Sequence, residues 1–255
     1  MHPRAHIDSV ELRVADPERS QRFYEEALGL EVTGSEPLSL GVDGHPLVVL
    51  RQGDPGTPAP PSTTGLFHVA YRHPGRRGLA SALRRLARSG ARLTGASDHG
   101  VSEALYLDDP DRNGIEVYWD RPMEDWPMAP DGSVAMFTAP LDLDSLVGET
   151  ADVEPNEPGT DIGHVHLRVS DVDRAIAFYR DVLGMGLRAQ LGAEAGFLAA
   201  GDYHHHIGVN SWQSRGGGPP PPGSAGLERF TIAVPDGEPA ELRDPDGIEM
   251  RLIAQ

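Results

Sequence analysis

The chain of 255 residues contains no cysteine and no lysine, and none of its apolar runs is long enough to cross a bilayer, which takes roughly 20 residues. Without cysteine there can be no disulfide, no thiolate zinc site and no Fe–S cluster. A reducing cytoplasm is the default compartment. Met1-His2-Pro3-Arg4 leads into no apolar stretch, so a signal peptide is not expected. Basic charge is also scarce: 22 residues, all arginine, stand against 39 acidic ones. The net charge of −17 argues against nucleic acid, whose phosphates attract basic surfaces. Apolar residues at 38% and charged residues at 24% are ordinary for a soluble globular protein, and the length suffices for one large or two modest cores.

What is present is repetition. Residues 9–32 lie over residues 164–187 without gaps, matching Val10 to Val165, Leu12 to Leu167, Asp16 to Asp171, Phe23 to Phe178, Tyr24 to Tyr179 and Gly29 to Gly184. Each copy reads as a strand, an Asp that caps the next helix, a helix with Phe-Tyr on its apolar side, and a Leu-Gly stop. Between the copies, GLFHVAYRH (65–73) predicts a strand and 78–90 a helix, followed by three further strands ending in GIEVYW. GLERFTIAV (226–234) and DPDGIEMRL (244–252) repeat that second unit with its helix almost gone. The reading is an α+β fold of four βαβββ-type modules, the fourth truncated, paired into curved mixed sheets. Modules one and two occupy 5–121 and modules three and four 161–255. An acidic, Pro-rich linker, 122–160, lies between, with apolar spots at 135–138 and 141–146 expected to pack down. Residues 52–64 read as a Gly/Pro-rich connector, and 213–226 as a low-complexity, solvent-exposed loop.

The FY-x-x-x-LG helices, DPDRNGIE and the modules that carry them resemble the vicinal oxygen chelate superfamily, which includes glyoxalase I, extradiol dioxygenases and antibiotic-resistance proteins. Residues 99–126 and 203–212 are similar to its four-module catechol 2,3-dioxygenase-like members. The resemblance covers nearly the whole chain. It implies a metal held by ligands from the first and last strands of two paired modules. Module one offers Ser9, a poor ligand; module two offers His68 and Glu116; module three offers His164 and His206; module four offers Arg229 and Glu249. Arginine cannot ligate a cation, so modules two and three are the expected site. Arg229 and Glu249 are expected to pair with each other.

His68 interrupts an apolar run, and Glu116 sits between Ile115 and Val117, where a buried carboxylate needs a cation. Two imidazoles and a carboxylate with open positions suit Fe(II) oxygenase chemistry, and Mn(II) fits the same set. Ni(II) or Zn(II) would suit a glyoxalase-like isomerase or lyase. A binder of an aromatic drug is the third reading, against which the filled ligand set counts. The resemblance favours extradiol cleavage of a catechol-like diol by O2, with His206, His204 or Tyr118 as acid–base group. His206 is either a fourth ligand or just outside the metal. Strand alternation turns His205 away from His204 and His206. Tyr106, His99 and Tyr203 are further candidates, and Asn210 and Trp212 are expected to line the cavity. His166 is read as support, and Arg13, Arg168 and the DPD turns as surface or turn residues. No nucleic-acid or membrane partner is expected, and a homodimer is compatible with this reading.

Overall fold

Asp16 and Asp171 open the two repeated helices as the sequence pattern requires: their carboxylates accept the backbone N–H groups of Arg19 at 3.1 Å and Arg174 at 3.0 Å. Gly29 closes the first helix in the left-handed conformation, φ 67°, which a residue without a Cβ adopts at little cost. The computed structural model describes residues 1–53, 58–130 and 134–255. Residues 54–57 of the 52–64 connector, and 131–133 of the linker, lie outside the described residues.

Module one comprises β1 (His6–Val14), α1 (Pro17–Leu28), β2 (Glu31–Ser35), β3 (Leu38–Val42) and β4 (His45–Gln52). Module two comprises β5 (Gly65–His73), α2 (Arg76–Ser89), β6 (Leu93–Asp98), β7 (Ser102–Asp108) and β8 (Gly114–Asp120). The linker adds β9 (Ala139–Pro140) and α3 (Leu143–Val147). Module three comprises β10 (Asp161–Arg168), α4 (Val172–Asp181), β11 (Gly186–Leu191), β12 (Ala195–Ala199) and β13 (Ile207–Asn210). Module four keeps β14 (Gly226–Val234), β15 (Ala240–Arg243) and β16 (Glu249–Ala254), with no helix among its described residues.

In every module the first and last strands are parallel neighbours: β1 with β4, β5 with β8, β10 with β13 and β14 with β16. First strands then pair antiparallel between modules, β1 with β14 and β5 with β10. One arm of the sheet therefore runs β2-β3-β4-β1-β14-β16-β15 and the other β11-β12-β13-β10-β5-β8-β7-β6-β9. They meet at Ile7 opposite Ile162. Each arm takes one module from either side of the linker.

The linker packs down as its apolar spots suggest. β9 pairs with β6, Leu146 is fully buried, and Val134 joins Val101 and Trp126 in a small core. The 213–226 loop is partly tied to the body: Ser214 is buried, and its hydroxyl donates to the Val169 carbonyl at 2.9 Å. The DPD segments form turns, as expected, but most of their aspartates are buried. Asp109, Asp111 and Asp244 are buried, and each first aspartate accepts backbone N–H groups two and four residues on.

That turn geometry displaces module four. Ile248 donates to Asp244 as Asn113 donates to Asp109, so the two turns are equal in length although the DPDGIE motif is two residues shorter than DPDRNGIE. The Ile-Glu pair of the motif therefore falls one pleat earlier on the following strand. Arg229 stands opposite Glu249 as His68 stands opposite Gly114, so Arg251 takes the place of Glu116. The expected Arg229–Glu249 pair does not form. Arg229 reaches Glu11 at 3.3 Å and Glu241 at 3.6 Å, while Glu249 pairs with Arg243.

Candidate metal centre

Ala70 is the pivot of the site. Glu116 of β8 lies beside it on one flank and His164 of β10 on the other. His68 is one pleat away on the same face of β5, because alternate residues of a strand share a face. Ala70 is small and fully buried, leaving room for the three longer side chains to converge. The Nε2 atoms of His68 and His164 are 3.2 Å apart and lie 3.0 and 3.2 Å from the same Glu116 oxygen. All three residues are buried, and among the described residues they form the one cluster of His, Cys or carboxylate groups with this spacing.

The donor set fits a divalent ion. Atoms about 3 Å apart match the spacing of neighbouring ligands at about 2.1 Å from one metal. Burial alone would raise the Glu116 carboxyl, but the attraction of His164 and hydrogen bonds from both imidazoles hold it well below the usual carboxylate range. Burial lowers His164 to about 4, against the pull of Glu116. Near neutral pH the cluster thus presents a charged carboxylate and a neutral His164 imidazole, the forms that bind cations. His164 Nδ1 has no hydrogen-bond partner among the described residues; its ring lies 4.1 Å, centroid to centroid, from that of His205.

The triad lies in the wall of a cavity of about 1010 Å³. His166 also lines this cavity but stands outside the triad. Its ring crosses over Gly208, where an added Cβ would come within 2.9 Å. Gly208 is the residue beside His166 on the parallel strand, as Glu116 is beside Ala70, and it offers no ligand.

The histidine run departs from the sequence expectation. Residues 204–206 fall between β12 and β13, so strand alternation does not govern them. His204 and His205 both line the cavity, which corrects the expectation that His205 faces away. His206, expected as a fourth ligand or acid–base group, reaches neither the triad nor the cavity wall. Its Nδ1 accepts the Ala200 N–H at 3.2 Å. Tyr118 shares the face of Glu116 but is fully buried; its hydroxyl is 2.6 Å from that of Tyr203 and does not line the cavity. Tyr203 in turn donates to Asp120 at 2.7 Å, and His204 Nε2 meets the other Asp120 oxygen at 2.7 Å. Trp212 lines the cavity and Asn210 does not.

Tyr106 and His99 do reach the cavity. Tyr106 is directly opposite Glu116 on β7. His99 Nδ1 lies 3.0 Å from the Phe137 carbonyl, an acceptor, so this nitrogen carries the proton. Nε2 then accepts the Tyr106 hydroxyl at 2.7 Å. Burial and the charge of Glu116 push the Tyr106 phenol well above its ordinary range. Phe67, Phe197, Met136 and Phe137 also line the wall, and in the sequence nothing distinguishes them from ordinary apolar positions in strands and linker.

Residues 6–117 and 161–233 match the profile of the Glyoxalase/Bleomycin resistance protein/Dioxygenase superfamily. The chain is 40% identical over 251 residues, 95% of its length and 87% of the relative's, to the catechol-2,3-dioxygenase of Bacillus subtilis (strain 168). A candidate dioxygenase structure from the same species superposes with a TM-score of 0.67 at 14% identity, covering 98% of this chain and 84% of that one. Glyoxalase I of Zea mays gives 0.59 at 16% identity, with 98% and 92% covered. At these identities the two structures bear on the fold alone. No described helix is long and apolar enough to cross a membrane.

Proposed function

Because the chain belongs to the Glyoxalase/Bleomycin resistance protein/Dioxygenase superfamily, we propose that it is a metal-dependent extradiol-type ring-cleaving dioxygenase acting on a catechol-like aromatic. The observation that carries this reading is the His68–Glu116–His164 triad, with donor atoms 3.0–3.2 Å apart, opening onto a largely apolar cavity. Held by these three residues, a divalent metal, Fe(II) in this reading, would bind the vicinal diol and bring it together with O2. Mn(II) suits the same donors.

The protein's own groups do the rest. Phe67, Phe197 and Trp212 hold an aromatic ring edge-on or stacked in the cavity and exclude bulk water. Tyr106 takes a proton from a diol hydroxyl at its phenolic oxygen while passing its own to His99 Nε2, along the 2.7 Å hydrogen bond. His99 is partly exposed and exchanges that proton with water. His205 also lines the cavity, and its buried imidazole, kept neutral by burial, is suited to hydrogen-bond a diol hydroxyl. Asp120 fixes His204 behind it.

The test is oxygen uptake by protein loaded anaerobically with Fe(II) and mixed with catechols. Uptake with a coloured product, lost in His68→Ala and His164→Ala, is the expected result. Proton exchange on a substrate without oxygen uptake, with metal bound stoichiometrically, would replace this reading with a glyoxalase-like isomerase or lyase. Tight binding of an aromatic compound without turnover would replace it with a binder.

A further inference from the structure

We propose that the substrate of this site is a catechol carrying a bulky apolar substituent, such as a second ring; this rests on the ring-cleavage reading and specifies its substrate class. The cavity, about 1010 Å³, is at the upper end of the range that takes drug-sized ligands, so a single catechol ring would leave most of it empty. Its mouth is bounded by large apolar side chains that remain in water: Phe137 is 49% exposed, Leu187 40%, Leu191 56% and Trp212 48%. They come from three separate elements, the linker, strand β11 and the segment after β13, so they are not the incidental surface of one strand. Scattered exposed apolar residues need no explanation, but four around one opening form a surface that a substituent would dry.

Charge points the same way. A chain of net −17 repels anionic substrates at long range, which favours a neutral substituent over a carboxylated one. Arg188 is the one arginine among the described cavity-lining residues, and its guanidinium is turned toward Asp202, donating to that residue's carbonyl at 3.4 Å. The diol would thus sit at the triad, with its substituent directed to the mouth, between β11 and Trp212.

Two measurements test the proposal. Fe(II)-loaded protein is assayed with catechol, 4-phenylcatechol and 3,4-dihydroxybenzoate, and metal-free protein is titrated with biphenyl, followed by tryptophan fluorescence. The expected result is a kcat/KM for 4-phenylcatechol at least about tenfold above that of either other diol. Biphenyl should also bind saturably, and both effects should fall in Leu187→Asp, whose half-exposed position keeps folding out of question. Equal or better turnover of plain catechol, preference for the carboxylated diol, or no biphenyl binding would overturn it. Saturable, Leu187-dependent biphenyl binding with no diol turned over would sink the ring-cleavage reading while upholding the apolar occupant.

Discussion

The Tyr24 hydroxyl donates to Asp109 at 3.2 Å, tying helix α1 of module one to the turn of module two across 85 residues of chain. Tyr179 makes the same bond to Asp244 at 3.1 Å, from module three to module four. The second aspartate of each turn is clamped as well: Asp111 accepts Arg19 at 2.6 Å, and Asp246 accepts Arg174 at 2.8 Å. The Phe-Tyr helix and the DPD turn are therefore two halves of one lock, each supplied by a different module. Tyr24→Phe or Tyr179→Phe should each cost about 1–2 kcal/mol, because a buried carboxylate loses one donor. Asp109→Ala, which strands the Tyr24 hydroxyl and two backbone N–H groups together, should cost more than either. Calorimetric melts of the three variants check the order.

Metal binding should be visible as stability. Mn(II), which avoids oxidation, should raise Tm of the parent increasingly with concentration, corresponding to about 2.7 kcal/mol of added stability at a hundredfold excess over Kd. Glu116→Gln and His164→Ala should lose most of that response. An equal rise in both variants would place the ion elsewhere.

Tyr106→Phe and His99→Ala should lower kcat for diol cleavage by about 10²–10⁴-fold, the range of acid–base contributions, while bound metal stays stoichiometric. Loss of metal in either variant would instead make the pair a support for Glu116.

His73 gives a pH dependence away from the metal. It faces α2, opposite to His68 on the strand, with Nδ1 buried and without a partner among the described residues. Burial, reinforced by Arg85, lowers it to about 4. Between its ordinary pKa near 6.5 and that value, the unfolded chain binds a proton that the folded one refuses. Stability from this group is present above pH 6.5 and is lost as pH falls toward 4, by up to about 3 kcal/mol. His73→Phe removes the effect. Whatever its offset at pH 7, the variant should gain on the parent as pH falls through this window, as urea titrations at several pH values would show.

Gly163→Ala should destabilise by about 1–3 kcal/mol through overpacking, since its Cβ would fall 1.6 Å from the Tyr118 hydroxyl. The penalty should shrink in a Tyr118→Phe background. An unchanged penalty there would show that the hydroxyl is not the obstacle.

The module pattern was legible because each unit carries its own punctuation, an Asp cap, a Leu-Gly stop and a DPD turn. His68, Glu116 and His164 were legible because residues of ligand type interrupt apolar strands at matching places. Other features depended on geometry that a linear comparison does not carry. Glu249 matches Glu116 letter for letter, yet its motif lacks two residues after a turn of equal length, which moves it one pleat and puts Arg251 at that position. His205 lines the cavity and His206 does not because 204–206 lies outside any strand, where side chains have no fixed alternation. The part of the DPD aspartates in joining modules is invisible until the helices that donate to them are in place.

The strand order also sets a timetable for folding. Val10 pairs with Phe230 and Val69 with Val165, so both arms stay open-edged until the second half of the chain arrives. A nascent chain that has reached the linker carries the unpaired flanks of β1 and β5, surfaces that invite association with another chain. Closure depends on contacts distant in sequence, which slows folding and prolongs that exposure. One of the three metal donors arrives only with β10, so the ion can be captured only late, after the two central strands have met.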